Sequence, residues 1–147
     1  MADDPKTKED MVELLKRSVE EWNTWRKQCC DIFPDLSGVD LCEANLCDAE
    51  LSGVDLHGAR LMFANLLCAK LDGANLVEAK LLGANLRGAY VRWANLAGVD
   101  LRNADVVADL RERISAGLTS ARRRYRAQIS RMLTSPAAGS TGSRHGI

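Results

Sequence analysis

Between residues 34 and 108 the apolar positions recur every five residues, not every two or every three to four. One column is leucine almost throughout. It runs Leu36, Leu41, Leu46, Leu51 and on in steps of five to Leu86, then Val91, Leu96, Leu101 and Val106. Two residues earlier stands a column of small side chains, Val39, Ala44, Ala49, Val54, Ala59 and on to Ala94, Val99 and Ala104, broken only by Pro34 at its start. The residue between the two columns is mostly Asn or Asp, as at Asn45, Asn65, Asn75, Asn85 and Asn95. Leu-Ser-Gly-Val-Asp-Leu occurs verbatim at 36–41 and again at 51–56.

A strict period of five matches neither an α-helix nor a strand. On a helix, five residues rotate by about 500°, so the leucines would smear around the axis. Gly38, Gly53, Gly58, Gly73, Gly83, Gly88 and Gly98 also oppose a helix, at about 1 kcal/mol each relative to Ala. A short extended piece plus a turn fits, with the Leu and the small residue pointing inward and three residues outward. The prediction is an all-β solenoid core in which each repeat buries its face against its neighbours.

The runs Ala74-Asn75-Leu76 and Ala84-Asn85-Leu86, instances of A(D/N)LxG, resemble the pentapeptide-repeat proteins over residues 34–108. The lead-in Trp22-Asn23-Thr24-Trp25-Arg26, followed by Pro34-Asp35-Leu36-Ser37-Gly38, is similar to that of bacterial, especially cyanobacterial-type, members. The resemblance implies a right-handed quadrilateral β-helix with four repeats per coil, hence just under four coils. It also implies a shaft filled evenly by Leu, since the central column has no Phe. At about 4.8 Å per coil the shaft is roughly 18 Å tall. Its first and last coils have unpaired edges that invite aggregation unless covered.

The flanks supply covers. Within 1–33, Met11, Leu14, Leu15, Val19, Trp22 and Trp25 follow the spacing of one amphipathic helix over 7–30. Thr7 and Asp10 mark its start and Pro34 bars its continuation. This helix is expected to cap the end formed by Leu36, Leu41, Leu46 and Leu51. Residues 109–135 form a second, Arg-rich helix, with Leu110, Ile114, Leu118, Tyr125 and Ile129 on one stripe. It is about four times longer than a 10 Å coil edge needs, so the stripe seeks the side of the shaft, a second copy or a membrane surface. In Qnr-like relatives a C-terminal element dimerises, which implies a homodimer here. Residues 136–147, rich in Ala, Gly and Ser, are expected to be a disordered tail.

With four repeats per coil, residues twenty apart stack. Asn45, Asn65 and Asn85 then form an amide ladder closed by Asp105. Asp40, Arg60, Lys80 and Asp100 share a column with opposite charges at both end steps. Glu50 meets Lys70 and Asp72 meets Arg92. Cys42, Met62 and Leu82 stack outward on one face, Cys47 and Leu67 on the next, with Phe63 and Cys68 at the corner. Such an apolar outward cluster is either covered by a flanking helix or is a docking face for another chain. Tyr90 and Trp93 make a smaller aromatic spot, expected to pack under the C-terminal helix.

Composition refines this picture. Lys plus Arg and Asp plus Glu are 20 each, so the net charge is zero. The zero hides segregation: −2 over 1–33, −4 over 34–108 and +6 over 109–147. The odd number of cysteines and the adjacent Cys29-Cys30 do not suit a disulfide framework. No apolar run approaches a membrane span, and the polar start does not read as a secretory signal, so a cytoplasmic setting is expected. His57 is the only histidine before the tail and has no predicted pocket. Cys42 and Cys47 are five apart because the period is five, and no CxxC, P-loop or GxGxxG is present. No enzyme, cofactor, metal or small-molecule substrate is expected.

Three functions remain. The first is a non-catalytic scaffold that presents a rigid four-sided surface to a protein partner, through Cys42, Met62, Phe63, Leu67 and Leu82 or through the C-terminal helix. The second, implied by the resemblance, is a Qnr- or MfpA-like DNA mimic that binds gyrase. Against it stand the short shaft and outward charges of changing sign. The third is binding of nucleic acid or an anionic membrane through Arg122, Arg123, Arg124 and Arg126.

Overall fold

The computed structural model describes residues 4–106; the expected helix over 109–135 and the tail lie outside them. Two helices open the described chain, α1 (Lys8–Arg17) and α2 (Val19–Gln28). A four-sided shaft follows. Its backbone pairs in parallel at intervals of twenty residues, from Asp35↔Asp55 through Asn85↔Asp105. Each coil therefore consumes four repeats. We number the faces by their repeats in the first coil: face one 34–38, face two 39–43, face three 44–48 and face four 49–53.

Among the described residues the pairing is a series of single-residue bridges, not continuous strands. The five-residue unit explains this. Each unit is one bridging residue followed by a tight turn, in which the small-column residue donates back three positions, as Ala64 N–H does to Leu61 O at 3.1 Å. Between coils, bonds of 2.7–3.0 Å alternate in direction. Leu46 N–H donates forward to Asn65 O, and Asn65 N–H donates back to Ala44 O. The column leucines from Leu36 to Leu81 are fully buried inside the shaft.

The third residue of every turn has positive φ, at all fourteen positions from Gly38 to Asn103. Turns of the type II kind require this, which is why glycine recurs there. Seven of the fourteen are not glycine: Glu43, Asp48, Phe63, Cys68, Glu78, Trp93 and Asn103. The Asn/Asp column has its own reason. Its side-chain oxygen accepts the N–H two residues on, as Asn65 Oδ1 does from Leu67 N–H at 3.2 Å. An asparagine has an amide left over, and it donates to the coil below. Asn65 Nδ2 reaches Asn45 Oδ1 at 3.2 Å, and Asn85 Nδ2 reaches Asn65 Oδ1 at 3.4 Å.

The single helix expected over 7–30 is two helices. Ser18 is extended (φ −157°, ψ 110°), ends α1 and starts α2, with its Oγ accepting Glu21 N–H at 3.1 Å. A Ser followed three residues later by Glu is an N-cap signal, and it overrides the continuous apolar stripe. Thr7 caps α1 reciprocally with Asp10. Leu14, Leu15, Trp22 and Trp25 join the hydrophobic core of the shaft.

The two helices also satisfy backbone groups along the open edge of the first coil. Lys8 Nζ donates to Ser37 O at 3.0 Å, and Trp22 Nε1 donates to Glu50 O at 2.9 Å. Asn23 donates to Asp48 O and accepts Glu50 N–H. The Arg26 guanidinium, only 7 % exposed, donates to Ile32 O and Ser52 O. Burial holds its pKa below the ordinary arginine value, and its Nε finds no partner among the described residues. An edge that would otherwise pair with another chain is thereby occupied by side chains.

Candidate interaction surface

Faces two and three carry the apolar cluster. Cys42, Met62 and Leu82 stand one above another on face two, because Glu43 N–H donates to Met62 O and Phe63 N–H to Leu82 O, both at 2.9 Å. Cys47 and Leu67 stack in the same way on face three, through Asp48 N–H to Leu67 O at 2.9 Å. Stacking leaves these five side chains half-buried. Phe63, at the corner between the faces, is 61 % exposed. Its ring lies across the next coil at Gly83, where an added Cβ would stand 2.5 Å from Phe63 Cδ1. The structure thus brings Cys42, Met62, Phe63, Leu67 and Leu82 together along one edge of the shaft.

The same side of the shaft continues past Val39 and Asp40 into an open trough of ≈660 Å3 against α1, where Val12, Lys8 and Lys16 line its other wall. The contacts of α1 and α2 described above fall on the first coil.

The thiols on this surface are not poised for chemistry. Burial, followed by the neighbouring carboxylates of Asp40 and Asp48, pushes the Cys42 and Cys47 thiols above their ordinary value. A raised thiol is protonated at neutral pH, which makes it a poor nucleophile and a poor metal ligand. All five cysteines are free, and no group of three His, Cys, Asp or Glu among the described residues is arranged to hold a metal. His57 Nε2 lies 4.0 Å from Glu78 Oε2 on an exposed face.

The charged columns mostly follow the twenty-residue register. Arg60–Asp40 closes at 3.2 Å, Lys70–Glu50 at 3.5 Å and Arg92–Asp72 at 3.1 Å. One expectation changes: Asp100 pairs with Arg102 in its own repeat at 2.8 Å, and Lys80 only adds to its field. A turn neighbour two residues away competes better than a flexible lysine one coil away. Asp105 stacks on Asn85 by backbone pairing but its carboxylate has no amide to extend the ladder, and Arg87 lies 3.9 Å from it.

Two exposed hydrophobic residues escaped the sequence reading. Ile32 and Phe33 precede the first repeat, and Phe33 is 72 % exposed. Phe33 stands five residues before Gly38, so it extends the turn column downward, and its ring lies over Gly53. That spacing was the available signal. Trp93 is 61 % exposed, and the C-terminal helix expected to cover it lies outside the described residues. Leu110, Ile114, Leu118, Tyr125 and Ile129, with Arg122, Arg123, Arg124 and Arg126, lie outside the described residues. No helix among the described residues is long and apolar enough to cross a membrane.

Residues 33–62 and 64–103 match the family of pentapeptide repeats, in eight copies. No curated protein matches the chain. Among solved structures, the pentapeptide repeat protein Rfr23 of the cyanobacterium Cyanothece 51142 is 41% identical over 51% of this chain and 51% of its own, with a TM-score of 0.50. HetL of the cyanobacterium Nostoc sp. strain PCC 7120, involved in heterocyst differentiation regulation, is 27% identical over 50% of this chain and 52% of its own, with a TM-score of 0.25. The plasmid-mediated fluoroquinolone resistance protein QnrB1 is 17% identical over 58% of this chain and 67% of its own, with a TM-score of 0.15. The last two superpose too loosely to carry an argument. The chain spans about half the length of Rfr23 and of HetL.

Proposed function

We propose that the shaft, which belongs to the pentapeptide-repeat family and folds as a right-handed β-helix, is a non-catalytic scaffold that docks a protein partner on the edge shared by faces two and three. One observation carries the reading. Outward positions that elsewhere mostly hold Ser, His, Asp or Arg, with Val77 and Ala97 the exceptions, hold Cys42, Met62, Leu82, Cys47 and Leu67 here, with Phe63 proud of the corner. A contiguous apolar patch on a rigid element is the usual mark of an interaction surface. The interior supports the reading, since the inward columns fill the shaft with Leu and Ala and leave the chemistry to the surface.

The test is affinity capture with the full chain and with a Met62→Ser, Leu82→Ser variant. The variant should lose the captured partner while its melting temperature stays within a few degrees, because both side chains point outward. Capture that survives both changes overturns the reading.

A further inference from the structure

We infer that the lower edge of the first coil, on faces two and three, is a docking slot for one more rung: an extended segment of another protein, bound backbone to backbone beside α1. The inference concerns the end of the shaft and stands apart from the docking reading for its side. Three observations support it.

The first is that α1 and α2 cover this edge only in part. They reach Ser37 on face one, Asp48 at the corner of faces three and four, and Glu50 and Ser52 on face four. On face two, Asp40 N–H, Asp40 O and Cys42 O have no hydrogen-bond partner among the described residues. On face three the same holds for Asn45 N–H, Asn45 O and Cys47 O. The inward side chains record the same gap. Ala49 on face four is fully buried, whereas Ala44 on face three is only partly buried. Val39 on face two keeps 9 % exposure, and Ala59 and Ala79 above it keep none.

The second is that these groups are the ones that join coil to coil elsewhere. One coil higher, Arg60 N–H donates down to Val39 O at 2.9 Å. Arg60 O and Met62 O accept from Leu41 N–H and Glu43 N–H at 2.8 and 2.9 Å. Asp40 and Cys42 present the same donor and acceptors downward, in the same register. The missing rung is thereby specified. It must offer one carbonyl to Asp40 N–H, then an N–H two residues later to Asp40 O and another four residues later to Cys42 O. Proline cannot stand at either donating position. An unpaired edge of this kind recruits extended chain, and recognition by strand addition takes its affinity from such main-chain bonds.

The third is room. The open trough of ≈660 Å3 lies against this edge, with Val39 and Asp40 on one wall and α1 on the other. Its size falls within the roughly 300–1,000 Å3 of ligand clefts. Val12 faces the trough from α1 and is half-buried, so the segment meets Val12 and Val39 with a small aliphatic side chain. Lys16, Glu9 and Glu13 give the rim mixed charge, so the backbone, not the sign of a charge, selects the ligand.

The probe is a synthetic peptide of residues 79–88, acetylated and amidated, since within the shaft that segment spans faces two and three. The readout is residue-resolved amide exchange of the full chain by NMR. Without peptide, Asp40 and Asn45 N–H should exchange fast while Asn65 and Asn85 N–H exchange slowly. Peptide at about ten times its Kd should slow Asp40 and Asn45 by about tenfold. The same peptide N-methylated at Leu81 and Leu86 keeps every side chain but loses the donors to Asp40 O and Asn45 O, and should slow neither. Val12→Arg, which puts a long side chain into the trough, should abolish the slowing at Asp40 while the chain still melts cooperatively. No slowing at any peptide concentration, or slowing that survives N-methylation or Val12→Arg, overturns the inference. Protection of Asp40 and Asn45 in the free chain also overturns it: protection that fades on dilution gives the edge to a second copy, and protection that does not gives it to the chain itself. Met62→Ser with Leu82→Ser should leave the peptide effect unchanged, so this slot and the docking surface on the side of the shaft stand or fall separately.

Discussion

Within each repeat the five side chains answer to five different constraints, and single substitutions separate them. Leu66 is fully buried between neighbouring leucines, so Leu66→Ala should cost about 2–5 kcal/mol in urea unfolding, whereas Met62→Ser should stay within about 1 kcal/mol. Gly83 and Gly58 share the left-handed conformation, but only Gly83 has a ring above it. Gly58→Ala should therefore cost about 1–2 kcal/mol of backbone strain, and Gly83→Ala clearly more, because Phe63 must also move. Equal losses would mean that Phe63 is not held over Gly83. The inward columns were legible in the sequence, because burial imposes a composition that survives over fifteen registers. The left-handed turn column was not, because half its members are Glu, Asp, Phe, Cys, Trp or Asn, which hide a shared conformation behind unlike chemistry.

The N-terminal helices show a conflict between two signals at the level of the element. A stripe from Met11 to Trp25 argued for one helix, and the Ser18 cap split it. Packing explains the outcome, since the bend lets Leu14 and Leu15 from α1 and Trp22 and Trp25 from α2 all reach the core. The attachment of α1 should depend on acid. The Ser37 side chain and the Ser37 N–H, which donates to Asp35 at 2.9 Å, hold the Asp35 pKa at about 2, below its ordinary 3.8, with a smaller contribution from Lys8 Nζ 3.3 Å away. A carboxylate with a depressed folded pKa contributes stability that is complete above the ordinary value and fades as pH falls through the folded one. The buried Trp22 and Trp25 should therefore report loosening of α1 and α2 between about pH 4 and pH 2. Asp35→Asn should flatten that part of the fluorescence titration; an unchanged curve would remove Asp35 from the account. The role of Arg26 was not legible beforehand, because a lone arginine near a helix end gives no hint that its guanidinium will plug carbonyls of a coil edge.

At the scale of the whole molecule, a shaft built on one period is read out on another. The core obeys a rule of five, since any repeat will serve beneath any other. The surface obeys a rule of twenty, since Asn85 belongs over Asn65 and Leu82 over Met62. The apolar edge was legible only because the second rule could be added to the first, whereas Phe33 and Trp93 fell at its margins. The two rules give insertions and deletions an unusual grammar. Removing residues 69–73 would keep every Leu and Ala in its column, so the variant should still melt cooperatively, while removing only 70–73 should not fold a continuous shaft. Yet the shorter shaft would be rotated by a quarter turn above the cut. Arg87 would stand over Met62, Leu82 over His57 and Tyr90 over Asn65. A lineage of such chains can therefore rewrite its entire upper surface in one step, by losing fifteen nucleotides, without composing a single new core residue.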